Sequence, residues 1–297
     1  MGTVVVMREW WRDLTDLVLP AECGGCGRPR TVLCPQCRTA LRGAVPCRVR
    51  PDPAPSGLPV VHAAARYADE VRAVLLAHKE RGALALAAPL GVALAGAVRA
   101  GLRAGSGPRG DVVLLVPVPS ARGAVRARGH DPARRIALAA AAELRRAGTP
   151  ARVLAVLRQR RAVADQSGLN SRQRLNNLAG ALEVAPGAGR LLGGGSVVLV
   201  DDLMTTGASL AEAARAVREG ARGTVRLIGR DAGVTAVCTA VGREDREDRG
   251  ERSAEVKAEA AVRRHSVPGM TRGIRAGDAL CAAVVAASPD AFEINRN

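Results

Sequence analysis

Short runs of consecutive apolar residues alternate along this chain with longer stretches whose apolar positions recur at helical spacing. Residues 60–67, 112–116, 153–157, 197–200 and 280–287 are such runs, and their β-branched and Leu content predicts strands. Between them, 68–77, 83–103, 132–147 and 208–219 predict helices. Strands that are apolar throughout, separated by helices, predict an α/β fold in which a parallel sheet carries helices on both faces. Beyond 208–219 two runs, 225–228 and 280–287, compete for the next strand. Either both join the sheet, or 230–279 interrupts it. Residues 243–266 are mostly Arg, Glu, Asp and Lys with no apolar period, which predicts a solvated helix or a disordered insert.

The start of the chain follows a different pattern. Trp10, Trp11, Leu14, Leu17 and Val18 fall on one helical face, and Cys23-x2-Cys26 and Cys34-x2-Cys37 follow. Each pair supplies two thiolates from a tight turn, and two pairs seven residues apart suit one tetrahedral Zn²⁺. Gly24, Gly25 and Gly27 allow the first turn and Pro35 stiffens the second. Four thiolates leave no position open for substrate, so the expected role is structural, replacing a core that about 30 residues cannot build alone. Cys47 is a candidate spare ligand, and Cys238 and Cys281 read as small buried thiols. The division expected is an N-terminal helix and cysteine motif over 1–47 and a Pro-rich linker over 48–59. An α/β domain over 60–229, a charged segment over 230–279 and a candidate final strand with the C-terminus over 280–297 complete it.

Composition changes the picture in two ways. Only 1% of the chain is aromatic (Trp10, Trp11, Tyr67 and Phe292), so a core that draws on 47% apolar residues must close through Ala, Val and Leu at close helix–sheet contacts. The net charge of +16 and a pI near 11.2 favour polyanionic partners, although Arg- and Ala-rich coding bias produces the same balance. The shortage of aromatic rings weighs against a grip on single strands by base stacking. No signal peptide or membrane span stands out, so no membrane insertion is expected and the reducing cytoplasm is the expected compartment.

The chemistry concentrates in Val197-Val198-Leu199-Val200-Asp201-Asp202-Leu203-Met204-Thr205-Thr206-Gly207-Ala208-Ser209. An apolar strand delivers two carboxylates to its C-terminal edge, where open α/β sheets bind ligands. The following loop opens a helix, and its free amides with the Thr205, Thr206 and Ser209 hydroxyls make a nest for a phosphate monoester. Ribose hydroxyls can donate to the two acids while the nest takes the phosphate. A Walker B reading requires a Gly-Lys-Ser/Thr loop elsewhere, and neither Lys79 nor Lys257 follows a Gly. An acidic strand end that merely precedes a capped helix leaves most of the string unexplained.

That string resembles the PRPP-binding signature of type I phosphoribosyltransferases. The chain as a whole is similar to the ComF family, in which a cysteine zinc motif precedes such a domain. Leu114-Leu115-Val116-Pro117-Val118-Pro119 resembles the family's strand and loop at the pyrophosphate site, and Arg128-Gly129 its Arg-Gly motif. Gln166-x2-Leu169-x4-Arg174-x2-Asn177 resembles its Gln–Leu–Arg–Asn block, and His78-Lys79-x2-Gly82 matches its Lys–Gly element loosely. The chain departs from the family at His130-Asp131-Pro132, where an aromatic or aliphatic residue and Asn-Gln usually stand.

The resemblance implies a type I phosphoribosyltransferase-like sheet behind a small zinc-ribbon-like motif, with Asp201 and Asp202 as catalytic acids. It implies a phosphate cup at Thr205, Thr206, Gly207, Ala208 and Ser209, and a pyrophosphate loop at Pro119, Ser120, Ala121, Arg122 and Gly123. Mg²⁺ accompanies PRPP, and Arg122, Arg126 or Lys79 is the cationic partner. His130 is a candidate general base, and 158–177 a mobile cover or anion-binding surface. The tail carries no acceptor-reading signature. The expected function is therefore binding of PRPP or another ribose 5-phosphate, with transfer to an unspecified acceptor. Set against it is a non-catalytic accessory that binds single-stranded DNA during competence-related uptake.

Overall fold

The structure, a computed structural model, describes residues 22–105, 111–161, 171–231 and 280–296. The expected N-terminal helix and nearly all of 230–279 lie outside the described residues, as does Cys238.

The elements run α1 (Pro35–Arg42), β1 (Cys47–Val49), β2 (Val60–Arg66), α2 (Asp69–Glu80), α3 (Ala87–Ala104), β3 (Val113–Pro117), α4 (Arg122–Arg128), α5 (Pro132–Arg146) and β4 (Ala151–Val153). They continue with β5 (Leu157–Gln159), α6 (Ser171–Leu178), β6 (Leu182–Val184), β7 (Ser196–Met204), α7 (Ala208–Asp231) and β8 (Cys281–Ala287). Six strands form one sheet in the order β1-β2-β8-β7-β3-β4, with β1 antiparallel to β2 and every other neighbour parallel. β5 and β6 pair antiparallel as a separate ribbon. The chain is thus a mixed α/β fold with a mostly parallel sheet and an N-terminal cysteine cluster, as the pattern of runs predicts.

One face of the sheet is closed by α3 and α5, through Leu90, Leu94, Val98, Ile136, Ala137, Ala140 and Leu144. The other is closed by α7 through Leu210, Ala213, Ala214 and Val217. The central strand β8 is Cys-Ala-Ala-Val-Val-Ala-Ala with its last six residues buried, so both helix layers approach it closely. Small side chains thereby fill the space that aromatic rings fill in other cores. Within Leu84–Ala104 the most apolar 18-residue stretch has a mean hydropathy of 1.6, enough by length and composition to cross a membrane; 61% of that stretch is buried, as in a core helix.

Three expectations change. The run 153–157 is split: β4 ends at Val153 on the main sheet, and β5 begins at Leu157 in the ribbon. An apolar run records burial and is silent on where the chain turns from one sheet to another. Residues 225–228 continue α7, because the helical period that sets Leu210, Ala213, Ala214 and Val217 on the core carries the backbone onward. Among the described residues the next strand after that helix is β8, inserted between β2 and β7. Finally, β7 runs past Val200 to Met204, so Asp201 and Asp202 lie within the strand, with Asp201 opposite Val284 of β8.

The Pro-rich stretch 48–59 opens inside β1 and then crosses the α7 face. Arg50 N donates to Ala291 O at 2.9 Å, Arg218 Nη1 donates to Gly57 O at 3.0 Å, and Leu58 packs on the apolar cluster.

Candidate functional site

Sheet topology singles out one place where a ligand could sit. Between β3 and β4 the chain forms α4 and then α5, which packs on one face; the helix that follows β7, α7, packs on the other face, and β8 is the next described strand. The two strands are neighbours and their connections diverge, which is the position at which open α/β sheets offer a crevice to a ligand. Their last shared bond is Val118 N to Val200 O at 2.9 Å. Beyond it the loop 118–121 and the segment from Asp201 to Ser209 continue from these two neighbouring strand ends. The sequence-predicted pyrophosphate loop and acid pair are thus brought to adjacent strand ends.

Asp202 is 7% exposed, and its Oδ2 lies 3.3 Å from Lys79 Nζ, which the last turn of α2 delivers. Asp201 Oδ1 accepts from Asp202 N at 2.9 Å. Desolvation, and then the charge and hydrogen bond of Asp202, push the Asp201 carboxyl well above the usual carboxylate range, with Lys79 pulling the other way. The Lys79 ammonium is held above its ordinary value by Asp202, against desolvation, with Asp201 adding to the pull. Of the three cations expected here, Lys79 is the one that meets the acids. Arg122 and Arg126 are exposed on α4. Within 119–123, Pro119 and Ser120 are half-buried and Ala121, Arg122 and Gly123 exposed, with Arg122 N donating to Gln159 Oε1 at 3.4 Å.

Thr205 is exposed, Thr206 and Ser209 half-buried, and Gly207 and Ala208 buried where the strand becomes α7. The first-turn amides of a helix have no intrahelical acceptor, so they face the loop as donors. Gly207 has φ +75°, and a Cβ there would stand 3.1 Å from Leu58 and 3.3 Å from Pro51, so both backbone and space demand glycine. Arg174 of α6 reaches this loop and donates from Nη1 to Thr205 Oγ1 at 3.2 Å.

Beneath the acids two histidines meet edge-to-face with ring centroids 5.5 Å apart. His78 is fully buried, both its ring nitrogens lack a partner among the described residues, and burial, reinforced by His130, pushes it down to about 4. His130 is 8% exposed; its Nε2 lies 3.2 Å from His78 O and its Nδ1 3.2 Å from Arg128 O. The expected base therefore has both nitrogens at backbone carbonyls, and it pins the end of α2, next to Lys79, to the α4–α5 turn. His130-Asp131-Pro132 also shapes the backbone locally, since Asp131 caps α5 through Arg134 N at 3.2 Å and Pro132 opens the helix.

A second cluster lies at the other end of the described chain. The Sγ atoms of Cys23, Cys26, Cys34 and Cys37 all lie within 4.8 Å of one another, so the four could hold a metal ion. Cys34 caps α1, with Cys37 N donating to its sulfur at 3.5 Å, and Cys34 N donates to Cys23 Sγ at 3.3 Å. Burial raises the Cys23 thiol, but amide donors from Cys34, Cys26 and Gly25 outweigh it and hold it at about 6. Cys37 is pushed far up, first by burial and then by its sulfur neighbours. A cation held between them would favour the thiolate form of all four. A Cβ on Gly25 would fall 2.6 Å from Cys37 Sγ, so the turn carries no side chain. Cys23, Cys34 and Cys37 belong to the same apolar cluster as Val74, Leu86 and Leu90, which ties the cysteine turns to the sheet layer. Cys47 begins β1 outside this group, and Cys281 begins β8, where burial pushes its thiol up to about 11.

No family model matches the chain, and no curated protein matches it.

Proposed function

We propose that the crevice binds PRPP or another ribose 5-phosphate with Mg²⁺, in a phosphoribosyltransferase-like domain of the ComF kind, and transfers the phosphoribosyl group to an acceptor. One observation carries this reading. Two adjacent carboxylates, one of them desolvated, stand a few residues before an amide-lined helix start at the divergence of two strands. Asp201 and Asp202 would accept from the ribose 2′- and 3′-hydroxyls, while the amides and hydroxyls of Thr205 to Ser209 would hold the 5′-phosphate.

The donor set suits Mg²⁺, a hard cation that takes carboxylate oxygens, and Asp201 and Asp202 would hold it directly or through water. When bound, Mg²⁺ would offset the charge on the departing pyrophosphate. Lys79, with its side chain 35% exposed, can exchange Asp202 for that pyrophosphate, and the amides of 119–123 would receive it. Bond breaking at ribose C1 develops positive charge on the sugar. These residues would therefore contribute positioning and leaving-group stabilisation rather than a proton at His130. The four-thiol cluster suits Zn²⁺, held by Cys23, Cys26, Cys34 and Cys37 in a structural role. Pyrophosphate release from PRPP and Mg²⁺ across a panel of nucleobases and amines tests turnover. Silence with every acceptor, alongside tight PRPP binding, reduces the proposal to a binding protein.

The net charge of +16 favours a second reading, a non-catalytic accessory that binds single-stranded DNA in competence-related uptake. Titration of labelled single strands at rising salt tests it, and no affinity at low salt removes it.

A further inference from the structure

We propose that Arg174 is a phosphate-binding residue whose guanidinium closes the cup at Thr205 to Ser209 over the ligand's 5′-phosphate; this rests on the reading that the crevice takes a phosphorylated ribose.

The placement of this cation is otherwise unfavourable. Arg174 Nη1 stands 3.2 Å from Thr205 Oγ1, at the loop that opens α7. That end of a 24-residue helix is the positive end of its dipole, where a cation is repelled and an anion attracted. Arg174 has no carboxylate within ion-pair distance among the described residues, whereas Arg128, Arg146, Arg158 and Arg215 each have one. Its Nε is shut off from solvent with no hydrogen-bond partner among the described residues. One N–H without an acceptor on a half-buried guanidinium, whose other contact is a hydroxyl of the loop that opens α7, gives the donors of an anion site beside the free first-turn amides of that helix. The planar fork matches two phosphate oxygens at once, which an ammonium cannot do.

The elements around Arg174 hold it in place. Arg161 Nη2 donates to Asn177 O at 2.8 Å and Ala179 O at 2.9 Å, so a cation holds the C-terminal end of α6. β6 is tied to α7 through Glu212, whose Oε1 accepts from Leu182 N at 2.9 Å, and Arg215, whose Nη2 donates to Leu182 O at 2.8 Å. The ribbon and α6 are therefore fastened at their far ends while Arg174 projects to the loop. The consequence is selectivity for a phosphate monoester over the free sugar: Arg174 adds a charge that only the phosphorylated ligand can use.

Calorimetry with ribose 5-phosphate on the wild type, Arg174→Ala and Arg174→Lys tests the assignment, with unfolding temperatures as the folding control. Arg174→Ala should weaken ribose 5-phosphate about 10- to 100-fold. Arg174→Lys should recover only part of that loss, because it restores charge without the fork. Binding of Mg²⁺–pyrophosphate alone should stay unchanged in both. Ribose 5-phosphate binding that Arg174→Ala leaves within about twofold of wild type overturns the assignment alone. An equal loss of pyrophosphate binding also overturns it, by making the role general. No ribose 5-phosphate binding by the wild type overturns the underlying reading and this assignment with it.

Discussion

The cysteine cluster and the carboxylate crevice are both collections of groups that repel or compete with one another, yet they are resolved in opposite ways. In the cluster, amides and neighbouring sulfurs already serve the sulfurs, three of the four cysteines are buried in the core, and one cation could complete it. In the crevice, Lys79 satisfies one acid, the other is left with a raised carboxyl, and Arg174 faces a helix start with a hydroxyl as its acceptor. The first arrangement could close around one metal ion and leave nothing open; the second leaves donors and acceptors unmatched, as the proposed ligand site would be before its ligand arrives.

Disruption of the closed site should have the largest effect. Cys37→Ser, or exhaustive chelation of the purified protein, is expected to lower the unfolding temperature by about 10 °C or more, since metal binding at such sites is folding energy. A fall of only a degree or two by calorimetry would mean that the cluster adds little to the core it touches.

Acid should come next, and it acts beneath the crevice. His78 is lowered from its ordinary 6.5 to about 4, so the unfolded chain binds its proton first. Stability tied to this ring is fully present above the ordinary value and is lost as pH falls from about 6.5 to about 4, on the order of 3 kcal/mol in total. Denaturant titrations across that range should show the slope, and His78→Gln should flatten it.

The histidine pin sharpens the comparison from the functional side. His130→Ala should cost a few-fold in PRPP affinity through displacement of Lys79, and Lys79→Ala/His130→Ala should lose little more than Lys79→Ala. Additive losses in that double-mutant cycle would separate His130 from Lys79.

How far sequence alone reaches depends on whether one stretch of chain holds the whole feature. The paired Cys-x2-Cys and the run from Val197 to Ser209 are local, so spacing alone locates them. The Lys79–Asp202 ion pair joins residues from α2 and β7, and the Arg174–Thr205 bond joins α6 to the start of α7. In the sequence Lys79 is one of three candidate cations and Arg174 only part of a motif, and the partners of both follow only from the folded topology. His130 misleads for the same reason: a lone His beside a basic loop reads as a base until its two carbonyl neighbours are seen. β4 and β5 merge into one expected strand because Val153 and Leu157 are both apolar, although each belongs to a different sheet.

The smallest effect should have the opposite sign from the rest. Asp201 is raised in the folded state, so folding retains its proton and stability falls as pH rises from the ordinary carboxylate value toward the raised one. Asp201→Asn should therefore raise the unfolding temperature at neutral pH, with no gain below pH about 4, where both states are protonated. A stabilised protein that has lost its ligand is the mark of a residue kept for binding.

Calorimetry with PRPP and Mg²⁺ on the wild type and on Asp201→Asn/Asp202→Asn is the direct test of the crevice. Saturable heat from the wild type and none from the folded double variant is the predicted result. Equal heat from both, or none from either, would contradict ribose-phosphate binding at these acids.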